Sequence, residues 1–267
     1  MSDLTKTYGI TDKQIIFYQK NGFIKLKEVF TQDEIAFYKA VISQKVAELN
    51  PIDTPLDKRD TYGKAFIQLF NLWREDSTIK KLVFSKRLGQ IAANLMGVDG
   101  VRLYHDQALF KEPDGGITPW HADQHYWPLH SNKAITVWIP LQSTPLEMGP
   151  LEFSAESQSL LLGRELSISD DSENIIGNNI RLNNFKHSIE PFDIGEVSFH
   201  SGWVFHRAGA NSTNETRKVM TIIYMEKNMK LMEPKNSGQI NDWHTWCPGT
   251  KVGEIIQSNL NPILFEK

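Results

Sequence analysis

The sequence predicts a mainly β protein whose first hundred residues are helical. Up to Met96, apolar residues recur at helical spacing between capping signals. After residue 100, short apolar runs are broken by Gly, Pro and Asn, a pattern typical of an antiparallel sandwich or barrel. We therefore expect one domain over 1–267, with helical support at 1–100, a β core at 101–230 and a C-terminal segment at 231–267.

The helices are predicted from their ends. The stretch TDKQ from Thr11 has N-cap spacing, and Thr31 with Glu34 forms a capping box. The first helix should stop at Asn21-Gly22, and the second before Asn50-Pro51, because glycine and proline do not continue a helix. Two further helices are expected, over Ser77–Phe84 and Lys86–Met96.

The strands are predicted from short runs rich in β-branched and aromatic residues, after a possible short strand within Gly22–Phe30. These runs are Val101–Tyr104, Ala134–Leu141, Leu151–Phe153, Glu196–His200, Val204–Ala208 and Lys218–Glu226. Between them, Leu160–Asn184 is polar and poorly periodic, so we expect a long surface insertion that could serve as a lid.

Composition limits the classes of partner. The net charge of −3 gives no general attraction to nucleic acid or to an anionic membrane, and no apolar run is long enough to cross a bilayer. The first residues lack the apolar core of a signal peptide, and the single cysteine, Cys247, fits a reducing compartment. We expect a cytoplasmic protein, monomeric or homodimeric, that acts on a small molecule.

Three residues suggest a metal centre. His121 and Asp123 lie two apart, so in an extended segment both project to one face and can chelate a single ion. A third ligand is needed, and His206 supplies it. Arg217 follows His206 by 11 residues (217 − 206 = 11), a spacing that an out-and-back pair of strands can bring into one cavity. Two histidines and one carboxylate with open positions are typical of non-haem Fe(II) oxygenases, and the anion for Arg217 would be the distal carboxylate of 2-oxoglutarate.

The sequence also resembles the phytanoyl-CoA dioxygenase family of Fe(II)/2-oxoglutarate oxygenases over roughly residues 10–260. The matching stretches are DQALFKEP, PWHADQHYWP, VWIPLQSTPLEMGPLEF, FHSGWVFHRAGANST and TRK. The resemblance implies a double-stranded β-helix, the jelly-roll or cupin-like core. It makes His121, Asp123 and His206 the iron ligands and Arg217 the 2-oxoglutarate anchor.

Further residues follow from the same resemblance. Gln107, Trp138 and, less securely aligned, Gln68 match positions that line the co-substrate pocket. Many relatives have serine where this chain has Ala208, so we expect another donor, such as Thr136, to support the arginine. Halogenating relatives replace the aspartate with a small residue, and the intact aspartate therefore favours hydroxylation.

Several side chains have two interpretations. His200 is expected to donate a hydrogen bond near the metal rather than ligate it in a shifted register, and His125 either touches substrate or caps the strand end. Lys111 is predicted to be a surface lysine rather than a co-substrate contact. Trp243 and Trp246 are expected to pack the C-terminal segment rather than seal the barrel.

The predicted function is an Fe(II)- and O2-dependent 2-oxoglutarate dioxygenase that hydroxylates an unactivated C–H bond of a small metabolite and releases succinate and CO2. The alternatives are the same chemistry on an acyl-CoA, disfavoured because no basic cluster for a CoA phosphate is evident, and a non-catalytic metal-binding jelly-roll protein. Desaturation, ring formation and epimerisation require the same residues and are not distinguished.

Overall fold

The computed structural model describes residues 4–267. Within this range the helices are α1 (Asp12–Asn21), α2 (Gln32–Leu49), α3 (Thr61–Ala65), α4 (Ser77–Val83), α5 (Lys86–Met96), α6 (Asp170–Leu182) and α7 (Ser237–Trp246). The strands are β1 (Phe23–Leu26), β2 (Ile67–Phe70), β3 (Gly100–Lys111), β4 (Thr118–His121), β5 (Ala134–Pro140), β6 (Leu151–Ser154), β7 (His187–Ile189), β8 (Val197–Ser201), β9 (His206–Ala208), β10 (Arg217–Glu226) and β11 (Ile263–Glu266). None of the helices described over residues 4–267 has the length and apolar character needed to cross a bilayer.

The predicted helix ends are confirmed by their hydrogen bonds. The side chains of Thr11 and Thr31 each accept from the backbone N–H three residues on, and each forms a complete capping box. Gly22 closes α1 with a φ of 80°, a left-handed conformation that glycine adopts without steric cost. These local signals position the first two helices independently of the rest of the fold.

Two antiparallel sheets form the β core. The larger has the order β1-β8-β5-β10-β3-β11, with β2 also paired to β3, and the smaller has the order β4-β9-β6-β7. All of the strand pairs are antiparallel, as predicted. The two sheets enclose one cavity, which is lined by residues from both.

Alternation along β5 shows how the large sheet is used. Ile135, Val137 and Ile139 belong to the main hydrophobic core, which also contains the buried faces of α2, α4 and α5. Thr136 and Trp138 point to the opposite side and line the cavity. Because side chains alternate across a strand, the helical layer supports one face of the sheet and leaves the other for the site.

The prediction for Leu160–Asn184, a long surface insertion without helical periodicity, was wrong in one respect. The segment contains the helix α6. Ser169 caps this helix, and Ile176 and Ile180 pack against Trp120 in a buried cluster. Only a narrow stripe of α6 is apolar, so its polar face hid the helical period in the sequence. Strands β2, β4, β7 and β11, each three or four residues long, were also not predicted.

Replacing Ile176 by alanine is expected to destabilise the fold by about 2–5 kcal/mol, since it leaves a cavity under α6. The side chain is 0% exposed, whereas its neighbour Ile175 is 45% exposed. Ile175→Ala is the matched control and should change stability by less than about 0.5 kcal/mol. Urea unfolding of the two variants measures the difference, and equal midpoints would show that α6 does not pack as described.

Candidate active site

Paired strands of the smaller sheet bring two histidines together. His121 at the end of β4 lies opposite His206 at the start of β9, with ring centroids 4.1 Å apart. The Oδ1 atom of Asp123 lies 3.6 Å from Nε2 of His121 and 3.5 Å from Nε2 of His206. The three potential ligand atoms lie within 4.8 Å of one another, a spacing that one metal ion can bridge.

Hydrogen bonds at the other ring nitrogens orient both imidazoles. Nδ1 of His121 lies 2.7 Å from the carbonyl of Pro119, and Nδ1 of His206 lies 3.1 Å from the carbonyl of Val204. Because a carbonyl only accepts, each Nδ1 carries the proton and each Nε2 keeps its lone pair. Burial lowers the pKa of His121, and His206 lowers it further, which favours the neutral imidazole that a metal requires.

The carboxylate is also held in place. Oδ2 of Asp123 accepts from the Thr136 hydroxyl at 2.9 Å and lies 3.2 Å from Nε2 of His200. Burial alone would raise the pKa of Asp123, but the neighbouring His206 and a hydrogen bond from His200 hold it well below its usual value. The ionised group therefore keeps Oδ1 for a cation, while its other oxygen is fixed by the larger sheet.

The route by which Asp123 reaches this point differs from the prediction. Strand β4 ends at His121, and Asp123 opens a 3₁₀ turn that extends to Tyr126. The turn is fixed where the N–H of Gln124 donates to the carbonyl of Gly202 at 2.9 Å. The strand does not continue, so His125 points away from the cavity, with Nδ1 2.9 Å from the carbonyl of Arg164.

A cavity of about 250 Å³ lies between the sheets at these residues. At one end lies Arg217, which is 2% exposed and sits 5.6 Å from the ring of Trp138. Its Nη1 donates to the carbonyl of Gly149, while its Nε has no partner. Burial lowers the pKa of Arg217 to about 9. Over residues 4–267 no carboxylate pairs with this guanidinium, so the cavity offers an uncompensated buried cation to an anion.

The predicted glutamines line the same cavity and are joined to each other. The amide of Gln68 donates to Oε1 of Gln107 at 2.6 Å, and the hydroxyl of Tyr62 donates to Oε1 of Gln68 at 2.6 Å. This chain of hydrogen bonds runs from a half-exposed tyrosine to the inner wall at β3. Tyr62 lies in the short helix α3 and was not predicted, because a five-residue helix gives no periodic signal in the sequence.

Thr136 does not support the arginine as expected. It pairs with Ile223, six residues along β10 from Arg217 (223 − 217 = 6), a separation of about 20 Å in a strand. Its hydroxyl instead donates to Asp123. Thr118 pairs with Ala208 and lines the cavity, so it is the hydroxyl beside the position where many relatives have serine.

Lys111 is buried rather than on the surface. It is 0% exposed, and its Nζ donates to the carbonyl of Gly209 at 2.8 Å and to the carbonyl of Gly116. Burial lowers the pKa of Lys111 to about 6, and the charge of Arg217 lowers it further. The side chain ties the β3–β4 connection to the end of β9. It does not line the cavity itself.

Replacing His200 by alanine is expected to weaken Fe(II) binding by roughly 10- to 100-fold, because Asp123 loses a partner that orients it. The control is His130→Ala, which removes an exposed histidine outside the cavity. Anaerobic Fe(II) titration of both variants measures the effect. Wild-type affinity in His200→Ala would show that the contact does not influence the metal.

Comparison with known proteins identifies the family. The profile of the phytanoyl-CoA dioxygenase family matches residues 18–219, which is most of the chain. The chain belongs to this family. The predicted class, an iron- and 2-oxoglutarate-dependent dioxygenase, is thereby confirmed.

Individual members of the phytanoyl-CoA dioxygenase family are distant. A probable alpha-ketoglutarate-dependent hypophosphite dioxygenase of Stutzerimonas stutzeri is 23% identical over 227 residues, covering 78% of this chain and 76% of the relative. A phytanoyl-CoA dioxygenase domain-containing protein 1 homolog of Caenorhabditis briggsae is 23% identical, covering 79% and 89%. The structure of SnoK, a non-heme alpha ketoglutarate dependent carbocyclase from nogalamycin biosynthesis, aligns with a TM-score of 0.77 at 20% identity over 95% of this chain and 96% of that one. The predicted jelly-roll fold is thus confirmed.

Proposed function

We propose that this chain hydroxylates an unactivated C–H bond of a small metabolite, with His121, Asp123 and His206 holding Fe(II) and Arg217 binding the distal carboxylate of 2-oxoglutarate. One observation carries the proposal. Two Nε2 atoms and a carboxylate oxygen converge in a cavity that also contains a buried guanidinium without a carboxylate partner.

The bound iron and co-substrate would supply the oxidation, in which O2 is consumed, 2-oxoglutarate becomes succinate and CO2, and one oxygen atom enters the substrate. The chain's own residues do the positioning. Thr136 and His200 hold Asp123, and backbone carbonyls hold the two histidines, so no ligand must reorient when the metal binds. Apolar walls, among them Leu109 and Leu151, keep water from the oxidising centre.

The cavity favours a small substrate over an acyl-CoA. About 250 Å³ must hold both the co-substrate and the reacting part of the substrate. Among the described residues, its walls carry one lysine or arginine, Arg217, and that side chain is committed to the co-substrate. A CoA group would require basic side chains for its phosphates, whereas the cavity lining contains an aspartate, Asp242.

Arg217 also argues against a non-catalytic metal-binding protein. A buried guanidinium without an anionic partner costs stability, and a site that only bound metal would gain nothing from it.

A cytoplasmic location forms part of the proposal and is supported by Cys247, the single cysteine, which is buried and unpaired.

Anaerobic calorimetry of the protein with Fe(II) and then 2-oxoglutarate tests the function. We expect iron to bind first and 2-oxoglutarate to bind only to the metal-loaded protein, with succinate appearing when O2 is admitted. A panel of small metabolites, with products identified by mass spectrometry, then locates the substrate. The Zn(II)-loaded protein is the control that binds 2-oxoglutarate without forming succinate. Iron binding without 2-oxoglutarate binding would favour the non-catalytic alternative.

A further inference from the structure

The end of the cavity farthest from Arg217 is built differently from the rest. Its position follows from the strand register, because Arg217 pairs with Lys111 at one end of β3 whereas Ile223 pairs with His105 farther along the same two strands. Asp242 and Trp246 of α7 also line the cavity. The prediction that Trp246 only packs the C-terminal segment was therefore wrong, and the helix contributes to the site.

Asp242 is a carboxylate without a cationic partner. Its Oδ2 accepts from the hydroxyl of Tyr104 at 2.9 Å. Over residues 4–267 no lysine or arginine forms an ion pair with it. Burial raises the pKa of Asp242 to about 7, although hydrogen bonds from Tyr104 and Trp246 oppose this. The carboxylate thus faces the cavity with part of its hydrogen-bonding capacity unused.

Aromatic rings stand beside this carboxylate. The rings of Phe70 and Trp246 lie 5.1 Å apart, and Trp246 lies 4.9 Å from the ring of His105. Phe70 is 39% exposed, so it forms part of the cavity mouth. Aromatic faces attract ammonium groups, and this attraction strengthens where water is excluded.

His105 forms part of the inner wall at this end of the cavity. Its side chain is 5% exposed, lines the cavity, and has no hydrogen-bond partner at Nδ1. Burial lowers the pKa of His105 to about 4, so the ring is neutral. A neutral His105 adds no positive charge to this end of the cavity and leaves Asp242 without a cation there.

We propose that this end of the cavity binds an ammonium group of the substrate that carries N–H donors, with Asp242 as its counter-ion and Phe70 and Trp246 as its aromatic walls. The inference rests on the proposed function, since it concerns the substrate of that reaction. Formal charges support it. Fe(II), Asp123, dianionic 2-oxoglutarate and Arg217 together sum to zero, so the ionised form of Asp242 is the unbalanced charge in the loaded cavity, and a bound ammonium group would balance it.

A set of simple probes tests the charge preference without knowledge of the substrate. The protein is loaded anaerobically with Fe(II) and 2-oxoglutarate and titrated with n-butylammonium, n-butanol and butyrate, which share one carbon chain, while tryptophan fluorescence is recorded. We expect saturable binding of the ammonium ion, at least tenfold tighter than either other probe. Equal or tighter binding of butanol or butyrate, or no binding of butylammonium, would overturn the proposal.

Two variants connect the preference to one side chain. Asp242→Asn keeps an oxygen to accept from Tyr104 but removes the charge, and it should weaken butylammonium binding at least tenfold while leaving 2-oxoglutarate affinity unchanged. Glu233→Gln removes the same charge from an exposed position just before α7 and should have no effect. Equal butylammonium affinity in Asp242→Asn and the wild type contradicts the assignment. If the wild type does not bind 2-oxoglutarate at all, the proposed function is contradicted instead.

Discussion

Asp123→Ala is expected to weaken iron binding by about two to three orders of magnitude and to abolish succinate formation. Asp123 supplies the only negative charge among the three proposed ligands, and its loss leaves His200 and Thr136 without their acceptor. Removing one partner of a buried charged pair costs about 3–5 kcal/mol. That cost corresponds to roughly 150- to 5000-fold in iron affinity. Anaerobic iron titration followed by a succinate assay measures both effects.

A buried aspartate outside the cavity gives the matched control. Asp106 is 0% exposed, and its Oδ1 accepts from the N–H of Leu72 at 3.0 Å, which Asp106→Asn can preserve. This control variant should bind iron as the wild type does. Retention of one iron per chain in Asp123→Ala, and in Asp123→Ala combined with His206→Ala, would show that the metal is held elsewhere.

The sequence could predict those parts of the fold that depend on neighbouring residues. The capping boxes at Thr11 and Thr31 and the glycine at Gly22 are local signals, and the helices begin and end where they indicate. The three residues proposed as metal ligands and Arg217 could also be predicted as a set, because their residue types and their spacing in the sequence are distinctive. The family follows from the profile match over residues 18–219.

Features that depend on tertiary packing were not predictable. Every residue of β5 from Ala134 to Pro140 is buried, so hydropathy does not show which of its faces lines the cavity. Lys111 is buried because carbonyls from two distant loops surround its ammonium group, and no local pattern marks that. Asp242 reaches the cavity only because α7 folds back against the 3₁₀ turn at Asp123–Tyr126.

Replacing Arg217 by methionine is expected to raise the KM for 2-oxoglutarate by roughly 30- to 5000-fold, which corresponds to the loss of about 2–5 kcal/mol from a buried charge pair. Arg207→Gln is the control, since that guanidinium lies on β9 of the smaller sheet, pairs with Glu173 at 2.5 Å and does not line the cavity. Its KM for 2-oxoglutarate should match the wild type. If the KM of Arg217→Met stays close to the wild-type value, another group must bind the distal carboxylate of 2-oxoglutarate.

Stability measurements on the same variant distinguish a binding role for Arg217 from a structural one. The guanidinium is buried with an unsatisfied Nε and no carboxylate partner, so replacing it with an apolar side chain of similar length should leave the free protein equally or more stable. The wild type should gain stability when Fe(II) and 2-oxoglutarate are added, because both bind only the folded state. Arg217→Met should be stabilised by Fe(II), and adding 2-oxoglutarate should give no further stabilisation. Because a structural arginine would destabilise the free protein when replaced, thermal unfolding with and without 2-oxoglutarate separates the two roles.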